Sequence, residues 1–232
     1  MTDDAFARRV SKLGALADPI RRALYRFVSE QPGAVSRDQA AEGVEVARHT
    51  AKFHLDRLVD EGLLVAEFRR LTGRTGPGAG RPAKLYRRSG KEVSVSLPDR
   101  RYDLAGHVLA EAVERSLAGT PMAEAVRQAA AEAGEQVADA SAATGRRTPE
   151  LERVADVLEP YGYEPRIEGD LVLSNCPFDR LASEHTDLVC GMNLAFVDAL
   201  AGRLGCHGVQ ARLDPHDERC CVRVSPSGSS HA

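Results

Sequence analysis

One stretch, Ser36 to Gly62 (SRDQAAEGVEVARHTAKFHLDRLVDEG), restricts the fold more than any other. It predicts two short helices joined by a tight turn. Ser36 is placed to cap the first, its hydroxyl accepting an early backbone N–H. That helix spans residues 37–42 and ends near Gly43, a residue suited to helix termini. The second is expected over about residues 45–61. Val46, Phe53, Leu55, Leu58 and Val59 would form its inward stripe. Arg48, His49, Thr50, Lys52, His54 and Arg57 would form the opposite, basic and hydrogen-bonding face. Such a face can read base edges and hold phosphates in a major groove. The plainer alternative is a solvated face on an ordinary amphipathic helix.

Upstream, residues 4–17 pattern as a helix with Phe6, Val10, Leu13 and Leu16 on one side. Asp18-Pro19 then resets the chain, because Asp caps well and Pro suits a first helical turn. A helix over residues 20–29 follows, and Gln31-Pro32-Gly33 ends it. After Gly62 the pattern becomes extended. Residues 63–68 and 83–87 read as partner strands. From Arg69 to Lys91 there are eight basic residues (Arg69, Arg70, Arg74, Arg81, Lys84, Arg87, Arg88, Lys91) and no acidic ones. A hairpin with a basic tip after a helix-turn-helix is a wing. Gly80-Arg81-Pro82 resembles the core of an AT-hook, which makes Arg81 the best candidate for a narrow minor groove. Arg74 and Lys84 complete the set of candidate DNA contacts.

Charge supports a division of labour. Residues 1–100 carry 19 Lys and Arg against 13 Asp and Glu, whereas the remaining 132 carry 12 against 21. A basic front and an acidic back suggest one domain facing nucleic acid and one that does not. The polar N-terminus has no signal-peptide core, and no apolar run is long enough to span a bilayer, so a cytoplasmic protein without membrane contact is expected.

The order LADPIRRALYRFV, SRDQAAEGVEVARHTAKFHLDRLVDEGLL, GRPAKLY resembles the winged-helix transcription regulators of the ArsR/MarR type, over roughly residues 10–90. That resemblance implies a DNA-binding domain that reads a two-fold operator in double-stranded DNA as a homodimer, and Pro98 and Asp99 mark its boundary, which gives residues 1–98. Residues 99–147 hold an amphipathic helix (102–118) and an Ala-rich helix (121–143). They are expected to form a helical linker and dimer interface, with an internal bundle as the alternative. Residues 148–225 are expected to hold a small antiparallel sheet and one long helix, 179–204. Residues 226–232 read as a disordered tail. The fold class is thus α+β, mainly α.

All five cysteines lie late in the chain, at Cys176, Cys190, Cys206, Cys220 and Cys221. In a reducing compartment such clustering points to metal ligands or redox groups rather than disulfides. The long gaps do not fit a zinc finger, whose ligands come in close pairs. Cys176, Cys190, Cys206 and Cys220 could enclose a metal or an iron–sulfur cluster once folded. The alternative is that they are small buried hydrophobes. Adjacent Cys220 and Cys221 would face opposite sides of a strand, so only one is expected at a given site. Cys176 with His185 could also be read as nucleophile and base of an enzyme, but no third orienting group is evident.

CPF, then His185, LVC, Cys206 and Cys220-Cys221 behind a winged helix resemble the SufR-like regulators. That resemblance implies a repressor of iron–sulfur assembly genes carrying a 4Fe-4S or 2Fe-2S cluster on Cys176, Cys190, Cys206 and Cys220. Zinc is the alternative metal. Cys221, His185 and His207 remain candidate replacements for one thiolate.

Overall fold

A computed structural model describes residues 3–70, 82–141, 148–216 and 218–228. The chain divides into two compact units, 2–95 and 96–232.

The first unit opens with α1 (Asp3–Ala15) and α2 (Pro19–Glu30). Asp18 caps α2 by accepting the Arg21 N–H at 2.8 Å, and Pro19 occupies its first position. A short strand, β1 (Val35–Ser36), runs into α3 (Arg37–Gly43). Ser36 and Gln39 form a reciprocal capping box there, each side chain bonding the other's backbone N–H. The second helix of the pair, α4 (Arg48–Asp60), starts three residues later than the sequence pattern suggests. Glu45 holds a left-handed φ of 54°, and the Val46 N–H donates to the Ala41 carbonyl at 2.9 Å. The chain uses those residues to reverse, so they cannot be helical. β2 (Leu64–Arg69) and β3 (Ala83–Arg88) pair antiparallel from Leu64↔Arg88 to Arg69↔Ala83. The sheet order is β1-β3-β2. Leu24, Val28, Ala51, Leu55, Leu58 and Tyr86 lie in the core that these elements enclose.

The second unit contains α5 (Tyr102–Leu117), α6 (Met122–Ala140), α7 (Glu150–Leu158) and a 3-10 turn at Glu159–Tyr161. β4 (Pro165–Glu168) and β5 (Asp170–Leu173) follow, then α8 (Asp179–Glu184), α9 (Thr186–Arg203), β6 (Val209–Leu213) and β7 (Val222–Pro226). The sheet is antiparallel throughout, in the order β4-β5-β7-β6. Leu171, Leu173, Val222 and Val224 are buried in one core with Phe196, Val197 and Leu200 of α9. Residues 99–147, read as a linker, contribute to this same core through Val108 and Ala112 of α5 and Ala129 and Ala130 of α6. α6 packs along α9 so closely that a Cβ on Gly134 would strike the Phe196 carbonyl oxygen. Small residues permit that approach.

The long helix expected over residues 179–204 is two helices. The backbone leaves the helical region at His185, and the Thr186 hydroxyl donates to the Ala182 carbonyl at 2.8 Å. A hydroxyl that satisfies a helix-end acceptor competes with continuation of the helix. Pro226 ends β7 and Ser227 donates its N–H to the Gly208 carbonyl at 2.7 Å, so the expected tail is ordered through its first residues. Residues 229–232 lie outside the described residues.

Candidate nucleic-acid interface and cysteine sites

In α4, Ala51, His54, Leu55 and Leu58 are the buried residues. Their spacing of three, one and three sets one inward stripe. Arg48 and Lys52 fall away from it, with side chains 73% and 62% exposed. His49 and Arg57 are exposed as well, and Thr50 is half-buried. Arg48 lies 3.6 Å from Asp38, Lys52 lies 3.4 Å from Asp56, and Arg57 pairs with Glu61 at 2.6 Å. The Arg48–Asp38 pair is exposed on both sides, so it is weak and can be exchanged for phosphate, whereas Asp56 and Glu61 are less exposed than the cations they meet.

Two expectations for α4 are reversed. His54, placed on the DNA face from sequence, is 7% exposed and accepts a hydrogen bond from the Arg21 Nε at 3.3 Å. Phe53, placed in the core, is 65% exposed. The cause is helical phase. With Val46 outside the helix, the stripe is set by Ala51, Leu55 and Leu58, and Phe53 lies opposite it.

Lys84 of the wing is tied down. Its Nζ donates to Asp56 at 2.6 Å and stands 5.2 Å from the centre of the Tyr86 ring. The Tyr86 hydroxyl donates to the same carboxylate at 2.9 Å. Burial pushes the Asp56 carboxyl up, but the bonds from Lys84 and Tyr86 and the charge of Lys84 outweigh it and hold it below the usual range. Burial first, then the bond to Asp56, raises the Tyr86 hydroxyl. Lys84 thus joins the wing to α4. Arg69 and Arg87 both lie near Glu67, and Arg70 and Arg88 are exposed. Arg74 and Arg81 lie outside the described residues.

The cysteines sort into three places. Cys176, in the loop between β5 and α8, and Cys220, just before β7, are both buried, and their thiols interact. The bond from Cys220 and the Phe178 backbone N–H make Cys176 the more easily ionised, despite burial. Cys220 is held protonated by that same bond and by its depth. Its sulfur also accepts from the Asn193 amide at 3.1 Å and the Val222 N–H at 3.5 Å. The Tyr163 hydroxyl fixes Asn193 by donating to its carbonyl oxygen at 2.6 Å.

Cys190 of α9 forms a disulfide with Cys221, with their Cα atoms 6.4 Å apart. This departs from the expectation that the cysteines avoid disulfides, while Cys220 and Cys221 do go to different partners, Cys176 and Cys190. Cys221 precedes β7 rather than lying in it, so the alternation of strand faces does not govern its direction. Cys206 is elsewhere. Arg153 donates to its sulfur at 2.9 Å, and burial raises its thiol despite that cation. His185 and His207 are exposed. Among the described residues, no group of three or more His, Cys, Asp or Glu is placed to hold a metal ion. The four expected ligands are therefore not gathered as one set.

Sequence reasoning missed Asn193 and Tyr163. The available signal was an amide inside the otherwise apolar run of α9, because a buried polar group requires partners. It also missed Arg100, whose guanidinium donates to Asn175 and, at 3.1 Å, to the Cys176 carbonyl, bracing the loop that carries this thiol.

Residues 16–66 match the family model described as a helix-turn-helix domain, a span running from just after α1 into β2. With β2 and β3 beside it, this supports a winged helix-turn-helix regulator that binds DNA. Neither a curated protein nor a solved structure matches the chain. No helix among the described residues is long and apolar enough to cross a membrane.

Proposed function

We propose that this chain is a homodimeric transcription repressor that inserts α4 into the major groove of an operator and is controlled through its C-terminal cysteines. The observation that carries the DNA-reading part is the exposed row Arg48, His49 and Lys52 at the N-terminal end of α4, opposite an aliphatic stripe buried in its own unit. Recognition helices read bases from their N-terminal residues. Support for a dimer comes from α5, where Tyr102, Val113 and Leu117 are exposed, apart from the inward Val108 and Ala112. A stripe of that spacing suits a second copy of the same helix. The repressor role, and targets among iron–sulfur assembly or related redox genes, follow from the resemblance to the SufR-like regulators.

An iron–sulfur cluster is the inferred effector. Cys176 and Cys220 fit such a group, since both are buried sulfurs and the Asn193 amide and the Val222 N–H are already aimed at the Cys220 sulfur. Cys190 and Cys221 become ligands only after a dithiol reductant supplies two electrons and two protons to their disulfide. Cys206, held by Arg153, does not fit. When bound, the cluster would make the charge of this site depend on iron and oxidant. Control of DNA binding then requires different affinity of the effector for the two dimer conformations.

The Cys190–Cys221 disulfide favours a second reading, a metal-free thiol–disulfide sensor. Anaerobic purification under reducing conditions separates the possibilities. Iron with acid-labile sulfide and visible absorption supports the cluster; zinc alone supports a zinc regulator. Protein without metal whose operator affinity follows the state of Cys190–Cys221 supports the thiol sensor. DNA binding indifferent to all three would remove the sensory role.

A further inference from the structure

Phe53 stands at the centre of the outward side of α4. Successive residues turn by about 100°, so a residue two after Ala51 and two before Leu55 points away from both. His49 precedes it by one turn on the same side, and Lys52 and Arg57 flank it. One edge of its ring leans on His54, with centroids 5.2 Å apart in an edge-to-face arrangement. The rest of the ring meets water. Exposed apolar side chains are common, but this one occupies the middle of a basic face rather than its margin. Of the acidic residues on this side, Asp56 is bonded to Lys84 and Tyr86 and lies close to Lys52, so its charge is compensated, and exposed Asp60 stands two turns away at the C-terminal end of the helix.

An occupant must therefore be apolar where it meets the ring and negatively charged around it. The major groove of DNA has this combination at thymine, whose C5-methyl group projects between two lines of phosphates. A protein partner would need an acidic rim of matching shape, and nothing on this face favours that over phosphate. We infer that Phe53 is a specificity-determining residue, which reads the thymine methyl by apolar contact while Arg48, Lys52 and Arg57 hold the flanking backbone. The inference rests on the DNA-reading function proposed above and adds the base that it selects.

The full-length protein and its Phe53→Ala variant are each used to select duplexes from a random library. Within the parent's preferred site, each thymine is then replaced in turn by uracil, which lacks only the methyl group. One uracil position per half-site should weaken parent binding by roughly three- to fivefold, the scale of one buried methyl. Phe53→Ala should bind the parent site more weakly, lose that dependence on the methyl, and select sites no longer requiring thymine there. Phe53→Leu should retain part of it. Equal melting temperatures would show that the variants fold, as expected for an exposed side chain. Equal uracil sensitivity in parent and Phe53→Ala would overturn the inference and leave DNA binding standing. Failure of the parent to enrich any duplex would overturn the DNA reading itself.

Discussion

In residues 2–95 the candidate site is an exposed surface drawn from successive turns of one helix; in residues 96–232 the cysteines are mostly buried and are carried by four separate segments of the chain. The first arrangement needs only the phase of α4. The second needs β5, α9 and β7 to be packed correctly before Cys176 meets Cys220 or Cys190 meets Cys221. Local chemistry therefore suffices for the DNA face, whereas the sulfur sites are products of the core. Substitutions should separate the two regions accordingly, changing binding without stability in one and stability together with thiol chemistry in the other.

The sharpest separation is expected from Cys221→Ser. Losing a disulfide across a sequence separation of 31 residues should cost about 3–4 kcal/mol in the oxidised protein. Denaturant titration should show that loss in residues 96–232 alone, and thiol counting should rise from the three free thiols of the parent to four. Unchanged thiol counts would mean that the cysteines are not paired in solution.

Gly134→Ala comes next. The added methyl meets backbone of α9 rather than a movable side chain, so α6 must shift, at a cost of about 2 kcal/mol. If the melting of residues 2–95 falls equally, the two units are not separable in the way their cores suggest.

On the other side of the comparison, Arg48→Ala and Lys52→Ala should leave melting within about 0.5 kcal/mol of the parent. Each should weaken operator binding roughly fivefold near physiological salt and lower the salt slope by about one. A change in stability without one in affinity would mark these side chains as structural.

The smallest effect concerns pH. The folded-state pKa of Asp56 is lowered, so its contribution is present above the ordinary carboxylate value of 3.8 and is lost as pH falls through the lower folded value. Acid unfolding of residues 2–95 should therefore be less steep in Asp56→Asn, which is less stable at neutral pH. Identical acid profiles would show that the link from α4 to Lys84 and Tyr86 contributes nothing measurable.

Much of the secondary structure was legible because its signals are local. Ser36 with Gln39, and Asp18 with Pro19, mark helix starts through bonds spanning three residues. The winged arrangement was legible for the same reason, since two helices, a turn and two strands follow one another in order. The break at His185 was not, because neither Gly nor Pro announces it and the hydroxyl that assists it belongs to an ordinary Thr.

Sequence alone determined that α4 is amphipathic and basic, but tertiary packing decided which of two neighbours, Phe53 and His54, turns inward. The small Ala51 and the hydrogen bond from Arg21 fix a phase that hydrophobicity alone would have set differently. Sequence likewise determined that five thiols crowd the last part of the chain. Which thiol meets which was decided only by the tertiary structure, because sulfur contacts depend on ångström-scale placement of elements distant in sequence, and residue spacing carries no record of that placement.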